Sequence, residues 1–136
     1  MKIFICCSKH FYGKVPSIKE ALEKAGHTVM LPNSYDEPLK EIELKSKSAE
    51  EHRRWKVSML RQQSEKIAQN DAIFVINMEK NGQANYIGGA TFLEIAKAFD
   101  LSKKVFMINP IPEGIFADEL SAMSPLIVGN NFSLVK

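Results

Sequence analysis

Cysteine is scarce in this chain of 136 residues: there are two, and they are adjacent, Cys6 and Cys7. Neighbours along a strand point to opposite faces, so the pair is not expected to bridge, and neither has another partner. With no disulfide framework, a reducing, cytoplasmic compartment is the expectation. Long apolar runs are lacking as well. No stretch reaches the roughly 18 apolar residues of a membrane span, and the first residues read as a strand behind one lysine, not as a secretion signal. Charge of one sign is also missing: 18 Lys and Arg against 16 Asp and Glu leave a formal charge of +2. No cluster of arginines with interleaved aromatics is present, so a nucleic-acid polymer is not an expected partner.

Several motifs are absent. No Gly-x-Gly-x-x-Gly follows the first strand, and no Walker loop or Gly-x-Ser-x-Gly elbow occurs. His10, His27 and His52 lie far apart, and none is set against cysteine at zinc spacing. Neither a metal nor a cofactor is expected.

What is present is an ordinary globular balance. Apolar residues make up 45% and charged residues 25%, which suits one domain over 1–136 with a real core. Lys2–Cys7 reads as a buried strand and Ser8–Lys14 as the polar loop beyond it. Pro16 opens a helix with Ile18, Leu22 and Ala25 on one face, stopped by Gly26. His27–Leu31 is a second strand, and 33–47 reads as an irregular connection of balanced charge. Ser48 with Glu51 forms a capping box for a helix over about 49–69, whose thin apolar stripe is Trp55, Met59 and Ile67. Strands are expected at Asp71–Ile76, Lys104–Ile108 and Leu126–Val128. Helices are expected at Gly89–Leu101, with Phe92, Ile95, Ala96 and Phe99 as its apolar face, and near 115–123. Two prolines make Asn109–Pro112 a loop.

Strands alternating with helices predict an α/β fold: a single-domain, doubly wound, five-stranded parallel sheet of flavodoxin-like or Rossmann-like type. Such sheets bind ligands beyond the C-terminal ends of their strands. The candidate loops are therefore Ser8–Lys14, Asn77–Gly89 and Asn109–Glu113. The stretch Asn85-Tyr-Ile-Gly-Gly-Ala-Thr-Phe-Leu-Glu94 stands out within them. Two glycines leave backbone amides open at a helix start, with a carboxylate, Glu94, about a turn further on. A plain tight turn followed by a helix-favouring acid explains the same residues.

The segments Asp71-Ala-Ile-Phe-Val and Thr91-Phe-Leu-Glu-Ile-Ala-Lys-Ala98, with a first strand running into a polar loop that carries an aromatic, resemble the nucleoside 2-deoxyribosyltransferase superfamily. Asn-Tyr-Ile-Gly-Gly and Asn-Pro-Ile-Pro-Glu look like a branch of it. That superfamily exchanges bases on deoxyribose or hydrolyses the N-glycosidic bond of nucleoside 5′-monophosphates. The resemblance implies Glu94 as nucleophile, Asp71 as the acid that positions it and handles the proton of the leaving base, and Tyr12 as the hydroxyl that orients the glutamate. It further implies that Thr91, Gly88 and Gly89 hold the sugar or its 5′ substituent. Relatives often carry Asp or Ser where this chain has Gly88, so Asn85 or Tyr86 is expected to stand in. Ser8, Lys9 and His10 of the first loop, with Asn77 and Asn109 at strand ends, complete the candidate substrate contacts, although loop hydrogen bonding is the favoured account of the two asparagines. The implied partner is a nucleoside or nucleotide, and the implied assembly is a homodimer. The alternatives are a non-catalytic nucleotide-binding module and a phosphoribohydrolase of the cytokinin-activating type, whose Pro-Gly-Gly-x-Gly-Thr-x-x-Glu is echoed by Ile-Gly-Gly-Ala-Thr-Phe-Leu-Glu.

Overall fold

The fold is held by a strand pattern that alternates between two apolar layers. In a computed structural model covering Met1–Lys136, five strands form one parallel sheet: β1 (Lys2–Cys6), β2 (Thr28–Met30), β3 (Ala72–Val75), β4 (Lys104–Met107) and β5 (Leu126–Ile127). Their spatial order is β2-β1-β3-β4-β5, the flavodoxin-like arrangement. Ile3, Ile5, Phe74, Ile76, Phe106 and Ile108 point to one side of the sheet. There they meet Val15, Ile18 and Leu22 of α1 (Val15–Lys24), and Val135 near the chain end. Phe4, Cys6, Ile73, Val75, Val105 and Met107 point to the other side. They pack against Ile67 of α3 (Ala49–Gln69), Ile95 and Ala98 of α4 (Gly89–Asp100), and Leu120 of α5 (Ala117–Ala122). Helices thus cover both faces, as βαβ crossovers of fixed hand require. No helix is long and apolar enough to cross a membrane.

Local signals explain the boundaries. Gly26, at φ +93°, supplies the left-handed residue that ends α1. The Ser48 hydroxyl accepts from the Glu51 amide at 3.3 Å and starts α3. Three readings from sequence need correction. Ser8–Lys14 is not an open loop: Lys9–Lys14 forms a 3-10 helix capped by Ser8. The region 33–47 contains α2 (Lys40–Lys47), which buries no residue and so leaves no apolar stripe to read. The buried face of α4 is Thr91, Glu94, Ile95 and Ala98, while Phe99 is exposed and Phe92 stacks on Phe116 at 4.3 Å. Two polar residues take part of that buried face, which turns the helix away from its apolar pattern.

The sheet order places a topological switch between β1 and β3. Chains leaving those two strands diverge and open a crevice at the C-terminal edge. The neighbouring exit, between β3 and β4, is closed by asparagines. Asn77 donates to the carbonyls of Asn109 (3.0 Å) and Pro110 (3.1 Å) and accepts from the Asn109 amide (3.0 Å). Asn109 in turn donates from Nδ2 to the Asn77 carbonyl. Asn77→Ala strands these buried groups and is expected to cost about 2–3 kcal/mol in chemical denaturation. Asn77→Asp, which keeps the acceptor but not the donor, should fall between that variant and the native chain.

Candidate active site

A crevice of about 280 Å³ lies beyond the ends of β1 and β3. Its floor is Cys7, Thr91 and Glu94, and one wall is the start of α4 from Gly88 to Ala90. The opposite wall is α3, through Trp55, Lys56, Met59 and Gln63. The roof is the segment after β2, including Asn33, Glu37 and Glu41. Asn33 fixes that roof to α3: it donates to the Met59 carbonyl at 2.9 Å and accepts from Lys66 at 2.8 Å.

Glu94 is 5% exposed yet lines the crevice, and it makes no salt bridge. Burial pushes its carboxyl from 4.5 up to about 8, against the pull of the nearby Cys6 thiol and the charges of Lys66 and Lys56. The acid is therefore largely protonated at neutral pH. Glu41 behaves in the opposite way. Burial raises it, but hydrogen bonds from His52 and Lys56, both at 3.0 Å, and the charge of Lys9 at 3.7 Å prevail and hold it at about 2. One crevice thus contains a neutral buried acid and a clamped anionic one.

The candidate residues divide into two groups. Glu94, Thr91, Gly88, Gly89, Tyr86, Tyr12, Ser8 and Lys9 all line the crevice. Asp71 does not. It precedes β3, whose start lies at the other edge of the sheet, and there it accepts from the Lys2 amide at 2.8 Å. That hydrogen bond lowers its pKa, the reverse of a desolvated proton donor. Asn77 and Asn109 are occupied with each other. His10 is exposed, its ring edge-on to Phe11, and does not line the crevice. Asn85 takes a left-handed turn at φ +56° and lines a separate cavity between residues 82–89 and 111–116. Tyr12 is at hand, but its hydroxyl donates to the Asn33 carbonyl at 2.8 Å, so its proton is not aimed at Glu94. The Tyr86 hydroxyl lies 3.1 Å from where a Cβ at residue 88 would be, so it fills the space beside Gly88.

The wall formed by α3 was the residue set missed in the sequence. Trp55, Met59, Gln63 and Ile67 recur every four residues along one helix face. Ile67 enters the core, and the three before it face the crevice. Reading Gln63 as a member of that stripe would have located the wall. No three His, Cys, Asp or Glu side chains gather closely enough to hold a metal ion.

Comparison of the chain with family models, curated proteins and solved structures finds no match. What the crevice can do is therefore read from its own chemistry: a desolvated carboxyl at the floor, open helix-start amides beside it, lysines at the rim and a tryptophan on the wall.

The pKa shift of Glu94 has a consequence for stability. The folded chain keeps this proton up to about pH 8, whereas the unfolded chain releases it near 4.5. Between those values the folded state binds more protons, so stability falls as pH rises. The loss across that window is of the order of a few kcal/mol. Glu94→Gln, neutral at every pH, should remove this component of the slope and raise Tm relative to the native chain at pH 8.

Proposed function

We propose that the crevice binds a nucleoside or nucleoside 5′-monophosphate and that Glu94 cleaves its N-glycosidic bond. The observation that carries this reading is a buried acid, free of any ion pair, at the floor of an open crevice and about a turn inside a helix start. The sequence resemblance to nucleoside 2-deoxyribosyltransferases points the same way. In this reading the Gly88–Ala90 amides and the rim lysines hold the sugar or its phosphate. The Tyr86 hydroxyl serves in place of a polar side chain at residue 88, and the base lies toward Trp55, Met59 and Gln63.

The reaction is a double displacement. The Glu94 carboxylate attacks C1′ as the C1′–N bond breaks, and the bonding electrons leave with the base. The base takes up a proton at the rim, where Glu37 is a carboxyl outside any ion pair. Water then attacks C1′ of the glycosyl ester, loses a proton and restores Glu94, or a second base does so in a transfer reaction. Configuration at C1′ is retained. A homodimer, also implied by the resemblance, belongs to this proposal and is decided by sedimentation equilibrium.

A second reading has one observation in its favour. Asp71, the acid that the resemblance assigns to the leaving base, lies at the opposite edge of the sheet. A nucleotide-binding module without turnover fits that geometry. Calorimetric binding with no release of base over hours would support it over the enzyme.

The test is a panel of deoxyribo- and ribonucleosides and their monophosphates, followed by chromatography for free base. Glu94→Ala should lower turnover by at least about a thousandfold, while Asp71→Asn should leave it nearly unchanged. Full turnover in Glu94→Ala would refute the nucleophile. Because the carboxylate is the reactive form, kcat/KM should rise about tenfold per pH unit from pH 6 and level off above about 8.

A further inference from the structure

Hydrogen bonding sorts the buried polar side chains into two kinds. Five are buried: Gln63, Asn70, Asn77, Thr91 and Glu94. Asn70 donates to the Lys66 carbonyl at 2.7 Å, and Asn77 is bonded to the turn after β4 at 3.0 and 3.1 Å. Gln63, Thr91 and Glu94 make no side-chain hydrogen bond within the chain, and all three line the same crevice. No side-chain nitrogen or oxygen shut away from solvent is left without a partner, so the unpaired atoms of these three open into the crevice. Thr91 and Glu94 belong to α4. Gln63 comes from the opposite wall, one turn of α3 after Met59 and one turn before Ile67, which lies in the core. An amide buried to 7% exposure costs stability unless its donor and its acceptor are both used. The other polar groups on that side are committed: Asn33 to Met59 and Lys66, Tyr12 to Asn33, and Lys56 to Glu41.

We propose that Gln63 is the specificity-determining residue of the crevice: its amide reads the edge of a planar heterocyclic base through one donated and one accepted hydrogen bond. The inference rests on the proposed reading for the ligand being a nucleoside or nucleotide, and it narrows the base to one that carries a donor and an acceptor side by side. A carboxamide offers an NH2 donor and a carbonyl acceptor on neighbouring atoms. The matching edge is an exocyclic amine beside a ring nitrogen, as in adenine or cytosine, or an exocyclic oxygen beside a ring N–H, as in hypoxanthine or uracil. The amide fits either edge by turning over about its last torsion. Met59 and Trp55 precede Gln63 on the same helix face and line the crevice with it. They offer apolar surface to the flat faces of the ring while the amide meets its edge. With the base on the α3 wall, Glu94 and Thr91 on α4 are left for the sugar.

Trp55 is the only tryptophan of the chain and lines the crevice, so quenching of its fluorescence reports binding there. Titrations use the Glu94→Gln chain, which cannot form a glycosyl ester. The ligands are nucleoside 5′-monophosphates whose purine carries an amine, an oxygen or only hydrogen at C6, and whose pyrimidine carries the same three at C4. In at least one ring size, the amine or the oxygen compound should bind roughly five- to hundredfold more tightly than the hydrogen compound. Comparing amine with oxygen tells which edge is read. Adding Gln63→Leu should shrink that preference to within about twofold and leave the hydrogen compound bound nearly as before. Gln63→Leu in the otherwise native chain should also keep or raise Tm, because no hydrogen bond within the chain is lost and the apolar stripe of α3 is extended. A clear fall in Tm would show that the amide has a structural task and would overturn the proposal. So would a preference that survives Gln63→Leu, or the absence of quenching by every ligand. Base release by the native chain, with the preference unchanged in Gln63→Leu, would keep the glycosidase reading and remove the base-reading role. Loss of the preference in Gln63→Leu, with no base release from any substrate, would do the reverse.

Discussion

The structure depends on keeping one carboxyl out of water beside the ends of a parallel sheet. Glu94 sits where the apolar layer formed by Phe4, Val75 and Ile95 meets the crevice. An ionised carboxylate there, without a partner, would cost several kcal/mol, so the group stays protonated instead. Its neighbours limit the penalty without removing it. Lys66 and Lys56 act through space. A full ion pair in place of these would fix the charge and take the carboxyl out of use as an uncommitted group.

Glu41 shows what such a pairing does in the same crevice. It is gripped by His52, Lys56 and Lys9, and it remains ionised. Its role is mechanical as much as electrostatic. Helix α2 buries no residue, and Leu39 just before it and Ile42 within it are largely exposed. The Glu41 clamp ties α2 to α3 and to the 3-10 helix after β1. Lys56 is common to both acids: it bonds Glu41 and exerts a longer-range pull on Glu94. An anionic ligand entering between them would compete with Glu41 for Lys56 and Lys9. Lys9 and Lys56 are therefore held in a form that an incoming anion can use only by displacing a carboxylate.

Strand content and topology were legible because each strand carries its own signal. Asp-Ala-Ile-Phe-Val-Ile and Lys-Val-Phe-Met-Ile are apolar on both faces, as strands covered by helices on both sides must be. The crevice was legible to the extent that parallel sheets place sites at strand ends, and Glu94 followed from its position after Gly88 and Gly89. Asp71 was misplaced for a related reason. A residue that opens a strand lies at the N-terminal edge, away from the ligand side, however well its neighbours match a pattern. Helix α2 escaped notice because Lys-Glu-Ile-Glu-Leu-Lys-Ser-Lys buries nothing. The α3 wall escaped because Gln63 breaks an apolar stripe that is in fact continuous. The Tyr12–Asn33 bond has no signature in sequence, since it joins two segments that only the fold brings together.

A neutral acid is at first sight a poor nucleophile, yet the same burial favours the proposed chemistry. Breaking an N-glycosidic bond builds positive charge at C1′ in the transition state. Beside a desolvated carboxylate that charge is stabilised far more than it would be in water, because the local dielectric is low. Before reaction the carboxylate lacks this counter-charge, and its pKa of about 8 measures how poorly the site tolerates it. As the bond breaks, the cost becomes an attraction. The interaction is strong in the transition state and weak in the ground state, which is the condition for raising kcat and not merely tightening binding. A site built only to hold a nucleotide gains nothing from a buried acid that resists ionisation, and a serine or glutamine at residue 94 would serve it equally well.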